Sequence, residues 1–272
     1  MTTTAPVVFI HGLWLHATGW TNWLEQFESA GYEPVAPGYP GDGASVPETR
    51  AHPDRLAGLG IEDLTAAYTK TIAALPVRPI VIGHSLGGLI AQKLLAQGSA
   101  TAAVAISPGQ IRGVRRIPLV QLRSGSAALG RPGNRRRAIS LNARQFRFGF
   151  GNALTAEESQ ELFDRWTIPG PGRPAFEVAT SNLQRASVAP AAVDTRIDER
   201  GPLLFIAGGA DHIVPPAVVK SARNLYARSR ATTDYHEFAG RGHSMVLDHG
   251  WRDVAEYSLG WLVRQGLGPR MG

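Results

Sequence analysis

The chain contains no cysteine. That removes disulfides, thiolate nucleophiles and cysteine-ligated metals together, and leaves the redox compartment unread. No run approaches the roughly 18–20 apolar residues that a membrane-spanning helix needs. The opening MTTTAPVVFI lacks the basic start and long apolar stretch of a secretory signal, so the expectation is a cytoplasmic protein. Acid is missing over a long reach: Leu64 to Ala156 holds no Asp or Glu, while Arg112, Arg115, Arg116, Arg123, Arg131, Arg135, Arg136, Arg137, Arg144 and Arg147 crowd its second half. No histidine–carboxylate cluster has ligand spacing and no Gly-rich phosphate loop occurs, so neither a metal nor an organic cofactor is expected.

What is present is a chain of 272 residues, 43% hydrophobic and 18% charged. That suffices for one large α/β domain, alone or carrying an insertion. The net charge of +6 is almost all arginine. Such a basic region attracts acidic substrates, anionic surfaces or nucleic acid, unless it is simply a solvated face. No aromatic-interleaved nucleic-acid motif accompanies it, so no nucleic-acid partner is expected.

Short β-branched runs alternate with helical spacing. Ala5–Ile10, Tyr32–Ala36, Ile80–Ile82, Ala102–Ile106, Pro202–Ile206 and Asp234–Phe238 read as strands. Between them lie a helix carrying Trp20, Trp23, Leu24 and Phe27, with Thr18 or Thr21 as its cap, and helices over 61–75, 87–97, 217–227 and 253–264. PGYPGDGASVPE, from Pro37, reads as a long turn-rich loop. The pattern predicts a mostly parallel sheet covered on both faces. From Ser107 to about Arg200 the rhythm breaks into Pro/Gly punctuation and amphipathic helices, one opening with a capping-box pattern from Thr155 to Glu158. The division expected is a core of 1–108 and 200–272, with 109–199 as a helical cap insertion.

Ile80-Val81-Ile82-Gly83-His84-Ser85-Leu86-Gly87-Gly88 is a Gly-x-Ser-x-Gly turn with a strand before and a helix after. A nucleophile on so sharp a turn is strained, and side chains two residues to either side would strike neighbouring backbone, hence Gly83 and Gly87. Serine needs a base. His243, in GRGHS between the last strand and last helix, is placed to reach over the sheet edge. The acid should precede it at another strand end, where Asp211 closes LLFIAGGAD. Asp248, a rival, is better placed to meet the start of the last helix, and Asp42 is more remote.

The succession HG-x-W, GHSLGG, GGADHIVPP, GRGHS resembles the α/β-hydrolase superfamily, specifically its capped, lipase- and esterase-like members, over about 5–108 and 200–265. The resemblance implies an oxyanion hole from the Leu13 and Leu86 backbone N–H groups, with His11 anchoring the loop rather than serving as a second base. Trp14 lines the pocket or packs on the first helix. The pocket candidates are Trp14, His84, Phe146, Trp166 and Met245, and Phe148, Phe150, Leu162 and Phe163 either join that wall or fill the insertion's own core. The HGGG form of the loop is absent, which weakens any link to bulky-alcohol esterases. The expected chemistry is cleavage of a small-molecule carboxylic ester, thioester, lactone or activated amide through an acyl-enzyme, with an anionic substrate if the arginines select it. The same triad serves cofactor-free perhydrolases and some lyases, and a ligand-binding protein on this fold is a further alternative. Haloalkane dehalogenases and epoxide hydrolases are disfavoured, since those families carry aspartate where this chain has Ser85.

Overall fold

Alternation of strand and helix produces the expected layers in a computed structural model that describes residues 6–269. In chain order the elements are β1 (Pro6–Ile10), α1 (Thr21–Ser29), β2 (Glu33–Val35), α2 (Val46–Ala51), α3 (Ile61–Ala73), β3 (Ile80–His84), α4 (Leu86–Ala96), β4 (Ala102–Ile106), α5 (Leu119–Leu129), β5 (Ala138–Ile139), α6 (Ala143–Gly149), α7 (Ala156–Trp166), β6 (Gly170–Pro171), α8 (Arg173–Thr180), β7 (Leu203–Gly208), α9 (Pro216–Leu225), β8 (Thr233–Phe238) and α10 (Trp251–Arg264). The main sheet runs β2-β1-β3-β4-β7-β8, and every pairing in it is parallel. β5 and β6 form a separate antiparallel ribbon within 109–199.

Period-two alternation sorts the buried side chains of the sheet onto two faces. Val8, Ile10, Val81, Ala103, Leu203 and Phe205 point into one core, shared with α3, α4, α9 and aromatic residues of α6. Val7, Phe9, Ile80, Ile82, Val104 and Leu204 point into the other, against Trp23 and Phe27 of α1 and Trp261 and Leu262 of α10. The order reverses at β1, which pairs with β2 on one side and β3 on the other. In open α/β sheets, the crevice beyond the strand ends at such a switch point is where ligands bind. Among the described residues no helix is long and apolar enough to cross a membrane.

Three local expectations are corrected. Neither Thr18 nor Thr21 caps the first helical stretch; the His16 ring does, accepting from the Thr18 N–H at 3.2 Å. The turn-rich run from Pro37 is helical at its end, because Ser45 Oγ accepts from the Glu48 N–H at 3.3 Å and starts α2. Thr155 Oγ1 does accept from the Glu158 N–H at 3.2 Å, but the Glu158 carboxylate accepts from His249 N–H at 2.8 Å and its ring Nδ1 at 2.9 Å instead of closing the box.

Candidate active site

The turn after β3 sets the site. Ser85 has φ 55° and is the N-cap of α4, a conformation that costs an ordinary residue of order 1–3 kcal/mol and persists where its surroundings impose it. The surroundings here are hydrogen bonds: the Ser85 N–H donates to the Ile106 carbonyl at 2.9 Å, and its carbonyl accepts from Gly88 at 2.9 Å and Gly109 at 2.7 Å. A methyl on Gly83 would overlap the Gly87 carbonyl, and one on Gly87 the Ile10 carbonyl. Among the described residues, positive φ outside glycine occurs at Trp14 (67°), Ser85 (55°) and Ser107 (42°). All three follow adjacent strands β1, β3 and β4, so backbone strain gathers around one point.

β7 and β8 end beside that point. The two loops after them are tied by backbone bonds, Gly209 N–H to Phe238 and Ala210 N–H to Arg241, both at 2.9 Å. This brings His243 Nδ1 within 2.7 Å of Asp211 Oδ2, with both side chains fully buried. The other carboxylate oxygen accepts from the Ile213 and Val214 N–H groups at 2.7 and 2.8 Å, so Asp211 has a fixed orientation. A carboxylate only accepts, so the His243 Nδ1 that faces it carries a proton. Among the described residues its Nε2 has no hydrogen-bond partner. Asp248 lies elsewhere: it holds Arg241, accepts from Ser244 Oγ at 2.6 Å, and accepts from Gly250, the N-cap of α10, at 3.2 Å.

His84 Nε2 donates to the His243 carbonyl at 2.9 Å, and the two rings meet tilted at 4.5 Å. Burial, with His243 and His11 beside it, holds the His84 imidazole well below its ordinary value despite the hydrogen bond to the carbonyl. Leu86 is the first residue of α4, where a helix leaves its N–H without a carbonyl one turn back. Neither it nor the Leu13 N–H donates to any described residue.

Trp14 does not pack on α1. Its Nε1 donates to the Ile139 carbonyl at 3.0 Å and its ring meets Phe150 edge-on at 6.5 Å. Phe146 stacks on Phe150 at 4.9 Å, and Phe150 in turn stands edge-on to His243 at 4.9 Å. Trp166 is half-buried on the same core, with Arg165 over its ring. Met245 falls outside this group, packed in the opposite core with Ile82 and Ile106. His84 is likewise turned beneath the His243 loop. The region is nearly sealed, with Ser85 9% exposed, Asp211 2% and His243 0%. Among the described residues no group of three or more metal-binding side chains gathers.

Two features escaped sequence reasoning. Tyr39 and Asp42 surround His11, and Arg50 reaches across to the end of α7. Both are contacts between residues distant in sequence, and the run from Pro37 offers no periodicity to reveal them.

The model of the alpha/beta hydrolase family matches residues 7–257. The chain is 28% identical over 266 residues to the non-heme chloroperoxidase of Streptomyces lividans, covering 90% of this chain and 87% of that protein. A monoacylglycerol lipase from Paleococcus ferrophilus superposes with a TM-score of 0.67 at 23% identity, over 96% of both chains. The Mycobacterium tuberculosis H37Rv protein BpoC, a candidate non-heme bromoperoxidase, superposes at 0.70 and 20% identity, over 97% of this chain and 94% of its own. At these identities the two structures speak for the fold. With the family model spanning nearly the whole described chain, the protein belongs to the alpha/beta hydrolase family.

Proposed function

We propose that the protein is a serine hydrolase that cleaves a small carboxylic ester, thioester, lactone or activated amide through an acyl-enzyme. The observation that carries this reading is the buried Asp211–His243 pair, whose Nε2 has no partner among the described residues, beside the strained turn that bears Ser85. In this mechanism Ser85 Oγ attacks the carbonyl carbon as His243 Nε2 takes its proton. Asp211 holds the tautomer and stabilises the imidazolium as it forms. The Leu13 and Leu86 N–H groups meet the developing oxyanion, each lowering the barrier by roughly 3 kcal/mol. Collapse breaks the bond from the carbonyl carbon to the leaving oxygen, sulfur or nitrogen, which takes its proton from His243, and water repeats the sequence to free the acid and Ser85.

In the same reading, 109–199 is a cap over the core of 1–108 and 200–272. Trp14, Phe146 and Phe150 are the apolar wall against which a small acyl group rests.

The likeness to a chloroperoxidase favours one second reading, perhydrolysis. Hydrogen peroxide then takes the acyl group in place of water and leaves as a peracid, with Ser85 restored.

Wild type and Ser85→Ala are compared with a fluorophosphonate probe and a panel of p-nitrophenyl esters. Labelling and turnover should both be present in wild type and fall by on the order of 10^4-fold or more in the variant. Well-folded wild type that neither labels nor turns over would overturn the proposal. Peracid formation on adding peroxide to an ester substrate separates the two outcomes.

A further inference from the structure

His11 stands two residues before Leu13 and makes contacts the triad does not use. Its Nδ1 is 2.9 Å from the Gly12 carbonyl and its Nε2 is 3.1 Å from Asp42 Oδ2. The Gly12 carbonyl only accepts, so Nδ1 carries a proton toward it, and the Asp42 carboxylate lies against the other side of the ring. The Asp42 contact is a close approach of carboxylate to ring rather than an aligned hydrogen bond. Tyr39 completes the set. Its N–H donates to Asp42 Oδ2 at 2.8 Å, its hydroxyl donates to the His11 carbonyl at 2.7 Å, and its ring lies 3.9 Å from the imidazole. Burial, with Tyr68 and Asp42 nearby, pushes the Tyr39 phenol well above its ordinary value, so it keeps the proton it donates. The loop backbone also leans on the nucleophile, since a methyl at Gly12 would come within 2.7 Å of Ser85 Cβ.

Trp14, just beyond Leu13, is held at φ 67°, a conformation that relaxes unless both flanks are fixed. One flank is fixed by Ile139 and by the Ile168 N–H, which donates to the Trp14 carbonyl at 3.0 Å. The other flank is His11.

We propose that Asp42 and Tyr39 are positioning residues for the oxyanion donor: they pin the ring and the carbonyl of His11 so that the following turn presents the Leu13 N–H to the oxygen of the Ser85 adduct. The inference rests on the role proposed for Leu13. Displacements of about 1 Å at a catalytic group are enough to slow chemistry by up to 10^2-fold without weakening substrate binding.

The test is steady-state kinetics of Asp42→Asn and Tyr39→Phe, with active sites titrated by fluorophosphonate so that rates refer to competent enzyme. Each variant should lower kcat about tenfold and leave KM within twofold. A trifluoromethyl ketone, whose Ser85 adduct carries the oxyanion, should bind more weakly by the same factor as kcat/KM falls. Fewer titratable sites with unchanged kcat per site would mean a merely structural role and would overturn the inference. Should Asp42→Asn not fold, Tyr39→Phe decides alone. Inert wild type would instead sink the hydrolase reading, and this inference with it.

Discussion

His84 precedes the proposed nucleophile in the chain and holds the proposed base in space, through the 2.9 Å bond to the His243 carbonyl. Its burial as a neutral ring has a pH consequence. The unfolded chain takes a proton on His84 near 6.5, whereas the folded chain resists doing so to well below that value. Stability is therefore complete above about pH 6.5 and falls as the pH drops through it, by at most about 1.4 kcal/mol per pH unit from this group. Thermal unfolding at pH 7.5 and pH 5.5 should show a smaller acid loss in His84→Gln than in wild type, and equal losses would refute the assignment. The glycines of the turn are decided by space. Gly83→Ala drives a methyl into the Gly87 carbonyl, and backbone cannot yield there as a side-chain end can. We expect a loss of at least about 3 kcal/mol, read as a melting temperature lower by roughly 6–12 °C.

Arg50, in α2, holds the end of α7. Its guanidinium donates to the carbonyls of Thr167 at 2.8 Å, Asp164 at 2.9 Å and Phe163 at 3.2 Å, at the C-terminal end of α7, where helix carbonyls run out of backbone partners. From the opposite direction, Glu177 of α8 accepts the Ile61 N–H at 2.7 Å at the start of α3. Arg50→Ala should cost roughly 1 kcal/mol, given its exposure, and speed tryptic cleavage among the arginines of 109–199; an unchanged digestion pattern would refute the linkage. Neither contact could be read from the sequence, because each joins groups more than a hundred residues apart. The main strands were legible, since six short runs bounded by turn residues mark them within a residue or two. The two-residue β5 and β6 were not, being too short to carry a period. The Ser85 turn and the Asp211–His243 contact were legible for a different reason: each residue stands after a strand's end inside a glycine-rich turn. His84 and Met245 misled as pocket candidates because adjacency in sequence to Ser85 and His243 says nothing about which side of the sheet a side chain enters.

At the scale of the whole molecule, the acid-free stretch contributes Arg135 and Arg136 to a cavity of about 540 Å³, which Arg173, Phe176 and Glu177 also line. Arg173 is matched by Asp63 and Glu177, at 3.4 and 2.7 Å, while among the described residues Arg135 and Arg136 have no acidic partner. If they draw anionic substrates, replacing Arg135–Arg137 with alanine should erode the preference for carboxylate-bearing over neutral esters severalfold. Salt should erode it in wild type, since the Debye length shrinks to about 3 Å at 1 M; an unaltered ratio would leave a solvated face. The other whole-molecule feature is the stitch above the site. Trp14, Leu15 and His16 pair with Trp166, Thr167 and Ile168 through a bridge and two backbone bonds of 3.0 Å. A guest too large for the space beneath must push on the strip of backbone that carries Leu13, so bulk would register as slow acylation as well as weak binding. Selectivity by size would then be a property of the clock rather than of the door.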